Sequence, residues 1–140
     1  MNETKKAAFE FVKFNISEFS FNETHGQTDS LAISFNPSGV YNESEAEFYL
    51  TLGFTAFEGE TNKVEKIKAK MNVTFKFDKG TSFQEIPTFF YRNSIAIVFP
   101  YLRSFISTLT LQANLKLVIL PVLNLTELEQ QFRDNTKVEH

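Results

Sequence analysis

Between Ile67 and Phe77 every second residue is apolar (Ile67, Ala69, Met71, Val73, Phe75, Phe77), and the residues between them are mostly Lys, Asn and Thr. A period of two is strand geometry: one face of this segment must be buried while the other meets water. Such a strand needs neighbours, and the chain supplies them upstream. Ala46 to Phe57 carries Phe48, Leu50, Leu52 and Phe54 on one face, with Tyr49, Thr51, Thr55 and Phe57 on the other. The short Glu58-Gly59-Glu60-Thr61-Asn62 connection then predicts an antiparallel hairpin. From Phe9 to Phe21 apolar and polar residues also alternate, but the register slips twice. That predicts a long, bent first strand, exposed enough to pair with another chain. Asn22 to Ser30, with Gly26, reads as a loop; Leu31, Ile33 and Phe35 read as a short second strand, closed by the turn chemistry of Asn36-Pro37-Ser38-Gly39.

After Ser94 the period changes. Ile95, Val98, Phe99, Leu102, Phe105, Ile106 and Leu109 recur at three- and four-residue spacing, which is helical, with Ser94 a candidate N-cap. Pro100 costs about 3 kcal/mol in a regular helix interior, so the helix either kinks there or, as expected here, starts near Phe99. Asn114 to Leu125 reads as an extended connection and Thr126 to Arg133 as a short second helix, capped by Asn124 or Thr126. The order predicts an α+β domain over residues 5–135: a four-stranded antiparallel sheet followed by two helices packed on one side. Residues 136–140 read as a C-terminal tail, with His140 readable as the remnant of a purification tag.

Composition narrows the chemistry. At 140 residues the chain is one domain's length, able to bury roughly two-thirds of its unfolded surface. It has no cysteine and only two histidines, His25 and His140, so thiolate metal sites, cysteine nucleophiles and histidine clusters are unavailable. A formal net charge of −3 argues against nucleic-acid binding. Neither nucleophile, metal set nor phosphate-binding glycine loop appears, so the expectation is a binding protein with no cofactor, and not an enzyme. The start Met1-Asn2-Glu3-Thr4-Lys5-Lys6 is not a signal peptide, and the apolar runs from Ile95 and Leu117 are broken by proline, so a cytoplasmic chain without membrane insertion is expected. Seventeen Phe against four Tyr and no Trp is the compositional anomaly; rings beyond what one core absorbs belong on an exposed apolar surface or a subunit interface.

Phe99 to Phe132, FPYLRSFISTLTLQANLKLVILPVLNLTELEQQF, resembles the C-terminal half of the SecB family of export chaperones. Phe99-Pro100-Tyr101 matches the family's opening of its long helix, and Pro121-Val122 and Leu125 match the step before the second. Phe11 to Phe21, Leu31 to Phe35 and Glu47 to Ala56 resemble its first three strands more loosely. The resemblance implies an ATP-independent holdase, a tetramer built as a dimer of dimers, that binds unfolded preproteins in apolar grooves and delivers them to the SecA motor. By position it implies client-binding roles for Leu31, Ile33, Phe35, Phe99 and Tyr101, and a motor contact for Glu18. Other acidic places of that contact hold Asn22 and Lys68, and the sequence carries no acidic tail after Arg133-Asp134-Asn135.

Blander readings stand beside these. Leu31, Ile33 and Phe35 could equally pack beneath the helices as core. Glu43 with Glu45 and Glu127 with Glu129 are carboxylate pairs in polar segments, and Lys63, Lys66, Lys68 and Lys70 read as a solvated strand face. Six Asn-x-Ser/Thr sequons begin at Asn2, Asn15, Asn22, Asn42, Asn72 and Asn124; two lie within predicted strands. Two rival functions remain: an oligomeric interaction protein on the same fold with fixed partners, such as a toxin–antitoxin chaperone, and a carrier of small apolar ligands.

Overall fold

The computed structural model describes residues 8–22, 31–58, 64–114, 120 and 124–140. Five strands, β1 (Phe9–Phe21), β2 (Leu31–Asn42), β3 (Glu47–Glu58), β4 (Val64–Phe77) and β5 (Thr136–Glu139), and two α-helices, α1 (Phe89–Gln112) and α2 (Leu125–Asp134), make an α+β fold. The sheet order is β1-β4-β3-β2-β5. All pairings are antiparallel except β2 with β5, which is parallel. The sheet is therefore mixed and five-stranded, not the expected four antiparallel strands: residues 136–139, read from sequence as a tail, pair with Gly39–Asn42.

The alternation in β4 places Ile67, Ala69, Met71, Val73, Phe75 and Phe77 on the helix-covered face, and the same face of β3 buries Phe48, Leu50, Leu52, Phe54 and Ala56. In β1 the two slips are two bulges, at Val12 and Ser17, where the pairing with β4 skips one residue. They bring Phe9, Phe11, Phe14, Ile16, Phe19 and Phe21 opposite the buried row of β4. Had the pairing been regular from Phe9 onward, Phe14 and Ile16 would have faced water.

β2 runs straight through Asn36-Pro37-Ser38-Gly39, which is not a turn. Pro37 is tolerable because its missing N–H faces the outer edge, where no β3 partner needs it. Gly39 is there for space. A β-carbon at Gly39 would lie 2.6 Å from Cε1 of Phe48 and 2.7 Å from Cε1 of Phe132.

α1 begins at Phe89, ten residues before the expected start, and Ser94 lies within it instead of capping it. Its buried stripe includes Phe90, Ser94, Ile95, Val98, Leu102, Ile106 and Thr110. Buried hydroxyls return to the backbone, Ser94 to Tyr91 O and Thr110 to Ile106 O. Pro100 is exposed, as is Ala96 one turn earlier, so the Ala96 carbonyl that loses its partner can be hydrated. By length and composition α1 would pass for a membrane span, yet here it covers a sheet. Phe90 sits at the centre of the core, with Phe48 at 4.7 Å, Phe9 at 4.9 Å, Phe77 at 5.1 Å and Phe75 at 5.4 Å between ring centroids. α2 is fastened over the same face by Phe132, packed on Phe48 and Tyr91, and by Arg92, which reaches Thr126 at 2.8 Å and Glu129 at 3.6 Å. Asn124, one of the two caps the sequence offers, caps α2 by accepting from Glu127 N–H, and Thr126 lies within the helix.

The sequon asparagines have structural work. On the uncovered face Asn72 donates to Asn15, and Thr51 donates to Asn72, a polar row across three strands. Asn22 donates to Glu65 O. Asn42 accepts from the hydroxyl of its own sequon serine, Ser44, at 2.8 Å, in the β2–β3 turn. Asn2 lies outside the described residues.

Candidate functional site

The outer edge of β2 is the unusual surface. In an antiparallel ladder alternate residues point their N–H and C=O away from the partner strand. Here those are the odd-numbered residues: Gly39 N–H donates to Asn135 O, and Glu43 N–H donates to Glu139 O at the far end of β5. Ile33, Phe35 and Pro37 belong to the same set, because the pairing with β3 is uninterrupted from Leu31 to Asn42. β5 satisfies only the Gly39–Asn42 half. Among the described residues no strand pairs with the outer edge of Leu31–Phe35.

The same residues turn their side chains to the helix side. Phe35 is half-buried, with its ring 5.4 Å from Phe54 and edge-on to Phe99 at 5.8 Å. Ile33 is half-buried opposite Ala56. Phe99 is 9% exposed and forms the helix-side wall. Leu31 opens the strand opposite Glu58; its side chain lies outside the described set. At this end of the sheet Glu58 is buried and ion-paired with Lys66 at 3.6 Å, while the Lys66 ammonium lies 6.0 Å from the Phe21 ring. An extended chain laid along this edge would find backbone donors and acceptors that no described strand pairs with, beside an aromatic wall.

Tyr101 is not part of that wall. Its ring packs on Phe14 at 4.9 Å and Phe11 at 5.6 Å, both on β1 at the opposite border of the sheet, and it remains 47% exposed. The five client-binding candidates thus divide: Ile33, Phe35 and Phe99 come together, and Tyr101 joins a second apolar surface. That surface includes Val12, Phe14 and Phe19 of β1, with Phe19 edge-on to Phe105 at 5.5 Å, and α1 adds exposed Ile97 and Leu111. The sequence reads β1 as a bent strand exposed enough to pair with another chain; in the structure these residues are exposed because β1 is a border strand.

Glu18 is exposed on the uncovered sheet face and lies 3.6 Å from Lys68. That ion pair offsets the one acidic group the resemblance singled out. The displaced pKa values belong to structural contacts elsewhere. Burial pushes the Tyr91 and Tyr41 hydroxyls up. The Phe83 N–H, with His140 adding to it, holds Glu43 below its ordinary value. Among the described residues no three His, Cys, Asp or Glu side chains converge as a metal site.

No protein-family model matches the sequence. An uncharacterised protein of Methanocaldococcus jannaschii is 29% identical over 154 aligned positions, covering 98% of this chain and 95% of the relative. Among solved structures, the Mycobacterium tuberculosis Rv1957 SecB-like chaperone, in complex with a peptide from the Rv1956 HigA1 antitoxin, superposes with a TM-score of 0.65 at 12% identity, covering 83% of this chain and 91% of that one. A Streptococcus agalactiae protein of unknown function reaches a TM-score of only 0.40 at 8% identity, too distant to bear on the fold. The fold of this chain is SecB-like.

Proposed function

We propose that the protein is an ATP-independent chaperone that captures unfolded or precursor polypeptides as extended segments, without catalysis or cofactor, in the cytoplasm. The observation that carries this reading is the Leu31–Phe35 edge of β2, open among the described residues and backed by Phe35, Phe54 and Phe99. Strand addition draws affinity from the main chain, which every client possesses, and apolar walls add area without demanding a particular side chain. The solved structure of the SecB-like fold with a bound antitoxin peptide supports a polypeptide ligand. It equally supports the second reading, a chaperone with fixed partners.

The β1 border and the outward face of α1 are suited to self-association, as a tetramer assembled from two dimers. β1 leaves its outer backbone edge open among the described residues, and Phe14, Phe19, Ile97, Tyr101 and Leu111 present apolar area beside it. Maintenance of clients for export through the SecA motor is the more demanding part of the reading. Glu18 is ion-paired with Lys68, and Asn22 is bonded to Glu65 O, so the acidic motor-facing surface is weak.

The test is light scattering as a denatured client is diluted into buffer with equimolar protein and no nucleotide, with the protein's oligomeric mass measured in parallel. Suppressed scattering with a tetrameric mass supports the holdase reading. Unchanged scattering from a folded oligomer overturns general client capture and leaves the fixed-partner reading.

A further inference from the structure

The edge of β2 is divided at one residue. Pro37 presents its backbone laterally but has no N–H to give, and its carbonyl already accepts from the Asn135 side chain at 3.4 Å. One residue further on in that set, Gly39 N–H donates to the backbone oxygen of the same Asn135 at 3.1 Å. Asn135 therefore grips β2 on both sides of the boundary. From there β5 occupies the remaining edge to Asn42, fastened at its far end by Glu43 N–H to Glu139 O at 2.8 Å and by His140 against Glu43 at 3.1 Å. The edge thus already accepts an added strand, supplied by the chain itself.

We infer that Pro37, Asn135 and β5 together act as a stop that fixes the length and register of the segment added to β2. This inference rests on the strand-addition reading above. An incoming strand can exchange hydrogen bonds with Ile33 and Phe35, and then meets a position with no donor and a neighbouring strand already in place. The ligand class follows: an extended stretch of roughly five residues whose alternate side chains are apolar, since every second side chain would lie on the helix side beside Ile33, Phe35 and Phe99. A longer apolar stretch gains no further pairing. Clients are gripped by short segments, and the grip can be renewed at any such segment along an unfolded chain. The stop also denies a long open border to aggregation, the use to which edge proline is commonly put.

The test uses fluorescently labelled peptides of alternating Val and Thr, from tripeptide to nonapeptide, titrated against the full protein by anisotropy. Affinity is expected to rise to about the pentapeptide and then to change by less than about twofold with further length. In the double variant Pro37→Ala, Lys137→Pro, which restores a donor and breaks β5, the plateau should move to longer peptides. Amide exchange on the unaltered protein provides a measurement that no folding defect can confuse. Bound pentapeptide should slow exchange at Ile33 and Phe35 and leave Gly39 and Glu43 as protected as before. Affinity climbing steadily to the nonapeptide, or deprotection of Gly39 and Glu43 on binding, would overturn the stop while leaving strand addition intact. Failure of every peptide to bind would overturn strand addition and this inference with it.

Discussion

Gly39→Ala should destabilise the protein although a β-strand ordinarily favours alanine over glycine. The added methyl would lie 2.6 Å from Cε1 of Phe48, 2.7 Å from Cε1 of Phe132 and 3.1 Å from Oγ1 of Thr136. Carbon atoms pack comfortably at about 3.5–4.0 Å, so each ring must retreat by about 1 Å. Neither has room. Phe48 and Phe132 are both fully buried and locked against each other and against Phe90 and Tyr91. Thr136 donates to Phe132 O at 2.6 Å and moves only with α2 and β5. Overpacking of this kind costs typically 1–3 kcal/mol, and two immobile rings place the cost at the upper end; loss of glycine's unfolded-state freedom returns up to about 1. The net expectation is a loss of about 2 kcal/mol, or about 1 M in the urea midpoint with the slope unchanged. Equilibrium urea unfolding followed by circular dichroism measures this. Gly39→Ala combined with Phe132→Leu should lose less than the sum of the single changes, because removing the ring relieves the clash. A neutral or stabilising Gly39→Ala, or strict additivity in the double variant, would refute the close-approach argument.

Three further outcomes are expected. Asn124→Ala should cost about 1 kcal/mol by unmaking the cap to Glu127 N–H, and Asn124→Ser should restore most of it; a thermal melt that does not distinguish the two variants contradicts the cap. Glu43 is held below its ordinary value of 4.5 by the Phe83 N–H, with His140 adding to it, so its contribution is complete above that value and is lost as the pH falls through the lowered folded-state value. The protection of the Phe83 amide, taken relative to its intrinsic exchange rate at each pH, should therefore fall in acid in the parent, and should lose that acid dependence in Glu43→Gln. Phe35→Ser should weaken client capture several-fold with the oligomeric mass unchanged, whereas Tyr101→Ser should lower the mass while each folded protomer keeps its capture; the reverse pattern in scattering and mass measurements would reassign the two surfaces.

What local sequence conveyed was alternation. It placed β1, with both of its slips, and β3 and β4 close to where they fold, because one face of each is buried and the other is not. It misread β2 because Pro37 and Gly39 look like punctuation wherever they occur. One is tolerated where no described strand calls for its N–H and the other demanded by two rings from distant segments, Phe48 and Phe132. It misplaced the start of α1 because Pro100 outweighed the stripe of Phe90, Tyr91, Ser94, Ile95 and Val98, a helical spacing that was present to be read. β5 has too little pattern in four residues, and its existence depends on α2 delivering it to β2. The candidate site was legible only in part: alternation alone reads Ile33 and Phe35 as core, it is the resemblance that singled them out as client-binding, and which border of the sheet Tyr101 joins is decided by tertiary position alone.

The two bulges of β1 give that strand an evolutionary latitude most strands lack. Without Val12 and Ser17 it reads Phe-Glu-Phe-Lys-Phe-Asn-Ile-Glu-Phe-Ser-Phe, a strict alternation. Either residue can therefore be deleted without carrying a single inward side chain to the wrong face, where a one-residue deletion elsewhere in the strand would invert part of it. Length changes among relatives of this chain should gather at these two places. Each such change would alter the pitch of the border strand, and with it the angle at which any second subunit approaches, while the aromatic interior stays as it is.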